Sequence, residues 1–478
     1  MTNPSQPAGQ SADAHGFGPR PSPGDFVPAR YESFRFCGFE IDEGAGTAAF
    51  RYALLPVDSA AQPVEFVETI TFELPADAAS ADWQAAAPVL PLLGALLGLS
   101  YFKAAAPARY ELDVDGLTAQ SVEFTADALK HGLAEFAYRA GLPGLLGTAV
   151  VPLRPLAEAG ESRELSAAEL ASPLAPVGGG KDSVVTVESL RAAGFGITQF
   201  SVNPNAIMRR VAAVNGEPFV AAKRAIDPLL LQLNSRGALN GHVPVTAMNS
   251  LIAVAQARLL RLGPVVMSNE SSAAEPTLTW GVDPVNHQWS KSLEAEVLLA
   301  RAIETQLGIR GGYFSLLRPF TELRIARKFA QVTDYDGAIV SCNRAFRIGA
   351  PEPGWCGECA KCQFVFLAFS AFMSRERLVG IIGTNMFENI ALLDGFRSLL
   401  GIDSHKPFEC VGEEAESTVA MSLAARSPEW QHTAIVRALL LEAPELAEGD
   451  PALEASLFVD APAPAVPVPY EAARRAFE

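Results

Sequence analysis

Basic residues are the first shortage in this chain. Its 478 residues hold 37 lysines and arginines against 54 aspartates and glutamates, a formal charge of −17. A field of that sign repels phosphate backbones and argues against RNA or DNA as a partner. Only local clusters, Arg209-Arg210, Lys223-Arg224 and Arg324 to Lys328, run against it. Long apolar runs are missing too. The most apolar segment, Val89 to Phe102, is shorter than a membrane span and carries Pro91, so a core helix is expected and no membrane partner. No basic stretch precedes an apolar one at the N-terminus, which argues against secretion and for a cytoplasmic protein. Cysteine is scarce, with six in all, and without an oxidising compartment disulfides are not expected. The Walker pattern G-x-x-x-x-G-K-[ST] cannot be aligned anywhere near the glycine loop described below, so the ordinary P-loop is excluded there.

The 49% apolar content supports real cores, and the length suits two or three domains. Residues 1–29 are rich in Pro, Gly, Ser and Ala and read as a disordered tail. Residues 30–165 read as an N-terminal α+β domain with a substrate-binding role in view. Phe34 to Ile41, Phe50 to Tyr52 and Val64 to Leu74 suggest three strands, the last alternating except at Glu68. A helix over 88–102, a strand at Tyr110 to Val114 and a helix from Ala126 to Ala140 follow. Residues 166–340 alternate strands and helices, with strands at Ile197 to Val202, Phe219 to Ala221 and Pro264 to Met267 and a helix from Val245 to Leu262. That order predicts an α/β fold built on a doubly wound parallel sheet, with ligands at the carboxyl ends of its strands. Residues 341–445 form a four-cysteine metal and helical lobe that includes a helix at Gln363 to Met373. Residues 446–478 form an Ala/Pro-rich tail, loose from Pro451 to Pro469, with a short helix at Tyr470 to Phe477.

Two motifs carry chemistry. The first is Gly178-Gly179-Gly180-Lys181-Asp182-Ser183, entered from the apolar run Leu174 to Val177 and followed by a helical segment. Glycines let the backbone turn tightly against a phosphate, and the unpaired N–H groups of a helix start point at it. Lys181 adds a point charge, Ser183 a hydroxyl and Asp182 a carboxylate suited to Mg²⁺. A plain glycine-rich turn is the bland alternative. The second motif is Cys342 with Cys356, Cys359 and Cys362, spaced C-x13-C-x2-C-x2-C. Thiolates two residues apart can bend around one ion, and a fourth closes a tetrahedron with no open position. Structural Zn²⁺ is expected, with an iron–sulfur cluster as its competitor.

The glycine hexamer resembles the S-G-G-x-D-S signature of PP-loop ATP pyrophosphatases, which split ATP to AMP and diphosphate. Gly178 stands where that family usually has serine. The cysteine run resembles the zinc knuckle of the 7-cyano-7-deazaguanine synthases, also PP-loop enzymes. Over most of the chain the resemblance is to the UDP-N-acetylmuramoyl-L-alanyl-L-glutamate epimerases, the MurL family. It is carried by Gly98 to Pro107, the glycine loop, Met267-Ser268-Asn269-Glu270, Asn286 to Ser292, Trp355 to Phe366 and Lys406 to Gly412.

These resemblances imply a PP-loop fold and an activated carboxylate. Adenylation removes the carboxylate charge and makes the carbonyl an electron sink, so an α-proton can leave. They imply conversion of the terminal L-Glu of UDP-MurNAc-L-Ala-L-Glu to D-Glu with release of AMP and diphosphate. Gly178, Gly179 and Gly180 would then bind phosphate, assisted by Lys181 and Ser183, with Asp182 on Mg²⁺. Asn203 stands near the nucleotide or simply shapes a turn before Pro204. Glu270 and Lys291 lead the acid/base candidates, which also include Tyr101, Lys103, His242, His287 and Cys410. A ligase that adenylates a carboxylate and then transfers ammonia or sulfur is the second reading.

Overall fold

The computed structural model describes residues 26–274, 276–346, 354–402 and 407–476. One ten-stranded sheet runs through them. From edge to edge its strands are Tyr313–Ser315, Val265–Met267, Leu174–Pro176, Thr198–Val202, Phe219–Ala225, Val64–Thr71, Thr47–Pro56, Tyr31–Asp42, Arg109–Leu112 and Ala149–Pro152. The first five pair in parallel. Numbered in chain order and read from Phe219–Ala225, these five lie 3-2-1-4-5, the expected doubly wound order. The topological switch point falls between Leu174–Pro176 and Val265–Met267.

Both faces of this half of the sheet are covered. Side chains on a strand alternate, so Leu174, Val265 and Tyr313 enter one apolar core while Ala175, Val266 and Phe314 enter the other. The helices Val245–Leu259 and Leu293–Leu307 fill the first core, and Lys181–Ala192 and Glu322–Phe329 fill the second.

The boundary expected between residues 165 and 166 does not interrupt the sheet. Phe219–Ala225 pairs antiparallel with Val64–Thr71, so the N-terminal strands extend the same sheet. Glu68, which breaks the alternation of its strand, is fully buried and ion-paired with Arg224 of the neighbouring strand. Half of the basic pair Lys223-Arg224 is thereby neutralised inside the protein.

The apolar segment is longer than expected and broken into turns. A helical run covers Trp83–Phe102, the one helix among the described residues long and apolar enough to cross a membrane. In this fold 83% of its most apolar window is buried in the core, as a core helix should be. Gly94 allows the close approach: a Cβ there would stand 2.2 Å from Phe36 Cζ and 2.7 Å from Phe50 Cδ1. Helix propensity favours Gly94→Ala by up to about 1 kcal/mol. Overpacking a filled core costs about 1–3 kcal/mol. Net destabilisation is expected, read as a lower urea midpoint with unchanged slope.

Three other expectations change. The helix expected from Ala126 to Ala140 is two, Ala119–Lys130 and Ala134–Ala140, broken at Gly132. A Cβ on Gly132 would meet Ala128 O at 2.4 Å and Pro244 at 2.9 Å. The stretch from Pro451 to Pro469 is docked rather than loose, with Leu457 and Val466 buried, and the short helix expected from Tyr470 runs over Tyr470–Arg475. Asp450 caps the helix Pro451–Ser456, and Tyr470 is buried with its ring stacked on Phe195 at 4.4 Å. At the other end Phe26 is buried and stacks on Tyr31, so the packed chain begins inside the tail expected over 1–29, whose residues 1–25 lie outside the described ones.

Candidate active site

A cleft of about 340 Å³ opens at the switch point, on the carboxyl side of the parallel strands. Gly178, Gly180, Asp182 and Ser183 form one wall, Ser268, Asn269 and Glu270 another, and Lys291, Lys361 and Cys410 close it. The glycine loop has the geometry its sequence demands. Gly179 has φ +88°, a left-handed conformation open to glycine, and a Cβ on Gly180 would stand 2.6 Å from Ser341 Oγ. The helix Lys181–Ala192 starts at Gly180 with no side-chain cap, leaving its first N–H groups to an anion in the cleft. Ser183 Oγ donates to Gly180 O at 3.1 Å.

Beneath the loop lies a buried charge cluster. Lys181 is ion-paired with Asp182 and with Glu322, the first residue of Glu322–Phe329. Lys361 Nζ approaches the other oxygen of Glu322 at 3.3 Å. Burial opposes both charges, but the pairing outweighs it: Lys181 is held above its ordinary range and Glu322 is lowered to about 2. Glu270 goes the other way. Burial and the nearby Glu322 carboxylate raise it to about 7, so it carries a proton part of the time at neutral pH.

Arg318, 1% exposed, fixes Glu270 and Lys291 together. It donates to the backbone carbonyls of both residues, at 2.7 Å for Lys291, and pairs with buried Glu296 at 2.6 Å. Removing one member of a buried ion pair costs about 3–5 kcal/mol. Arg318→Ala is therefore expected to destabilise by that amount in chemical denaturation and to disorder both candidate groups at once.

A second polar chain reaches the cleft from the N-terminal half. Glu135 Oε2 lies 2.5 Å from His287 Nδ1, and the Cys410 sulfur interacts electrostatically with the same imidazole. His242 lies against His287, 4.7 Å between ring centres with the planes tilted at 46°. Burial lowers His242 to about 4. His287 is raised to about 10, because Cys410 and Glu135 outweigh its burial. Burial alone would raise Cys410, but Lys291 and His287 bring it down to about 6.

The four expected cysteines converge. Their sulfurs all lie within 4.8 Å of one another, with Cys342–Cys359 at 3.9 Å, Cys356–Cys362 at 3.7 Å and Cys359–Cys362 at 3.5 Å. These separations are far beyond a disulfide bond of about 2.05 Å. A tetrahedron of Zn–S bonds of about 2.3 Å places its sulfurs about 3.8 Å apart, so the set fits one ion. A four-iron cluster spreads its thiolates over separate irons and needs a wider set.

The other sequence candidates fall outside the cleft. Asn203 has φ +47° and exchanges hydrogen bonds with the backbone of Arg224, which is the turn-forming role. Tyr101 is buried among Tyr52 and Phe66, its hydroxyl accepting from Asp227 N. Lys103 donates to Asn240 and Gly241. The sequence reading missed Glu322, Arg318, Glu296 and Glu135. Each lies in a helix or loop with no motif around it, and only the fold places it beside residues far away in the chain.

Comparison with known families decides the grouping. The family model of the MurL N-terminal domain matches residues 25–316, and that of the MurL C-terminal domain matches residues 338–454. The chain belongs to the MurL family. Three curated relatives carry the name UDP-N-acetyl-alpha-D-muramoyl-L-alanyl-L-glutamate epimerase. The protein from Micromonospora sp. is 48% identical over 87% of this chain and 92% of its own length. That from Salinispora tropica is 46% identical over 87% and 90%. That from Xanthomonas oryzae pv. oryzae is 37% identical over 95% and 99%. No solved structure matches.

Proposed function

We propose that this MurL-family chain is an epimerase that converts the terminal L-Glu of UDP-MurNAc-L-Ala-L-Glu to D-Glu, in peptidoglycan precursor synthesis, using ATP. The relatives' shared name supports the substrate and the reaction. The uncapped helix start behind three glycines, at the switch point of a doubly wound sheet, supports ATP. In this reading the backbone N–H groups of Gly178, Gly179 and Gly180 hold phosphate, with Ser183 beside them and Lys181, ion-paired beneath the loop, adding positive charge from below. Asp182, on the cleft wall, is the carboxylate suited to Mg²⁺, which would offset the charge of the departing diphosphate.

Activation to an acyl-adenylate removes the carboxylate charge that otherwise opposes loss of the α-proton. Glu270 and Lys291 are then placed on the cleft, one partly protonated near neutral pH and the other cationic, to stabilise charge and deliver a proton. Cys342, Cys356, Cys359 and Cys362 would hold Zn²⁺ as a structural ion, with no open position for catalysis.

The test is incubation with UDP-MurNAc-L-Ala-L-Glu, ATP and Mg²⁺ in D₂O. The expected result is AMP together with D-Glu carrying deuterium at the α-carbon. AMP with a product of altered mass would point instead to transfer of ammonia or sulfur, and absence of AMP would refute the reading.

A further inference from the structure

Epimerisation needs a group that removes the α-proton, and the cleft offers one that the glycine loop does not explain. Cys410 is half-buried, open to the cleft beside Lys291. Its segment is anchored from three sides. Glu409 accepts from Asn343 Nδ2 at 3.1 Å and from Lys361 N at 3.0 Å, Val411 O accepts from Gln288 Nε2 at 3.1 Å, and Arg139 lies 4.6 Å over the Phe408 ring. Cys410 is thus held by the metal lobe, by the Asn286–Ser292 segment and by the N-terminal half together. Behind it stand His287 and then Glu135, a carboxylate, an imidazole and a thiol in series.

We propose that Cys410 is the base that removes the α-proton of the activated glutamate, with His287 and Glu135 as positioning residues that keep it a thiolate. This rests on the epimerase reading above. The charged groups facing the sulfur are His287, Lys291 and Lys361, all cationic or able to be so, and Cys410 is lowered accordingly to about 6. Glu135, itself lowered by its bond to His287 despite burial, faces that imidazole together with His242, which Lys103 and Arg139 also face.

In the step, Sγ forms an S–H bond with the α-proton. The C–H electron pair moves into the activated carbonyl to give an enolate. The enolate then takes a proton at the other face, and the Glu270 carboxyl is the protonated group on the cleft. Water then hydrolyses the acyl-adenylate, releasing AMP and the D-Glu product, and the thiol and Glu270 reset by proton exchange with water.

A metal bound by Glu135, His242 and His287 is the rival use of this cluster, since their ligand atoms lie within 4.8 Å of one another. The 2.5 Å contact between Glu135 and His287 favours a shared hydrogen: two ligands on one ion at bonds of about 2.0–2.2 Å stand further apart in a tetrahedron.

The experiment measures two half-reactions in Cys410→Ala and Cys410→Ser: substrate-dependent ATP–diphosphate exchange, and α-deuterium incorporation from D₂O. The expected result is deuterium incorporation lowered by about 10²–10⁴-fold in both variants while ATP–diphosphate exchange continues. Deuterium incorporation at the wild-type rate would overturn the assignment, and so would loss of both half-reactions in both variants, which would place Cys410 in the nucleotide half. Glu135→Gln lowers the affinity of His287 for its proton, so the acid limb of the incorporation profile is expected to move to higher pH. An unmoved limb would count against the relay, as would a second equivalent of bound metal that disappears in Glu135→Gln. Failure of the wild-type protein to form AMP would instead refute the underlying reading, independently of either variant.

Discussion

Lys181→Met is expected to lower substrate-dependent ATP–diphosphate exchange by about 10²–10³-fold, the scale for losing one charge-stabilising donor at a reacting group. The same change has a structural cost. Lys181 is 1% exposed and neutralises Glu322, which is 3% exposed in its side chain and would keep the longer 3.3 Å contact to Lys361 and the field of Lys291. Leaving such a carboxylate short of a partner costs about 3–5 kcal/mol. The two effects separate in the double variant Lys181→Met/Glu322→Gln. Stability should recover in part, because the buried Glu322 charge is gone while Asp182 and Lys361 each lose a partner, and exchange should stay low. Recovery of exchange along with stability would show that Lys181 serves only to compensate Glu322.

Removing the metal from the four-cysteine site should have the larger effect on the whole protein. Structural zinc in small sites contributes about 10–16 kcal/mol of folding free energy, comparable with the entire stability of a typical domain, about 5–15 kcal/mol. Cys342 comes from the chain just after Val340, whose N–H donates to Gly179 O at 3.1 Å, and Ser341 packs against Gly180. The three later cysteines begin the helix Ala360–Ser370, which runs into the second core. One ion would therefore hold the glycine loop's backing strand to the C-terminal helices. Chelation, or Cys362→Ser, is expected to release one zinc per chain by elemental analysis. It should also unfold the C-terminal helices in circular dichroism and abolish ATP–diphosphate exchange in parallel. A metal-free protein with native helicity and exchange would exclude the site.

Where the sequence was legible, its signals were local. The glycine hexamer needed only the backbone freedom of glycine and the free N–H groups of a helix start, and its geometry is as expected. The parallel half of the sheet was visible in the alternation of strands and helices, and its 3-2-1-4-5 order placed the cleft at the switch point. Legibility ended where long-range pairing decides. Glu68 looked like a flaw in a strand until Arg224 appeared beside it. Asn203, read either beside the nucleotide or as a turn former before Pro204, turns its side chain to the backbone of Arg224. The stretch from Pro451 to Pro469 looked loose by composition, yet Asp450 before Pro451 is a helix-start signal, and Leu457 and Val466 are buried in the second core, which no local pattern announces.

By itself the sequence determined the glycine turn at a helix start, the clustering of four cysteines and the α/β class. Each depends on residues near one another in the chain, where spacing and backbone chemistry act directly. Tertiary structure alone decided that the N-terminal strands continue the parallel sheet, that Glu322 balances Lys181, and that Glu135 and His287 stand behind Cys410 of the cleft. These depend on side chains 123 to 152 positions apart for the last group's successive contacts. Burial makes such pairs energetically decisive, because a charge removed from water must find its partner wherever the fold brings one.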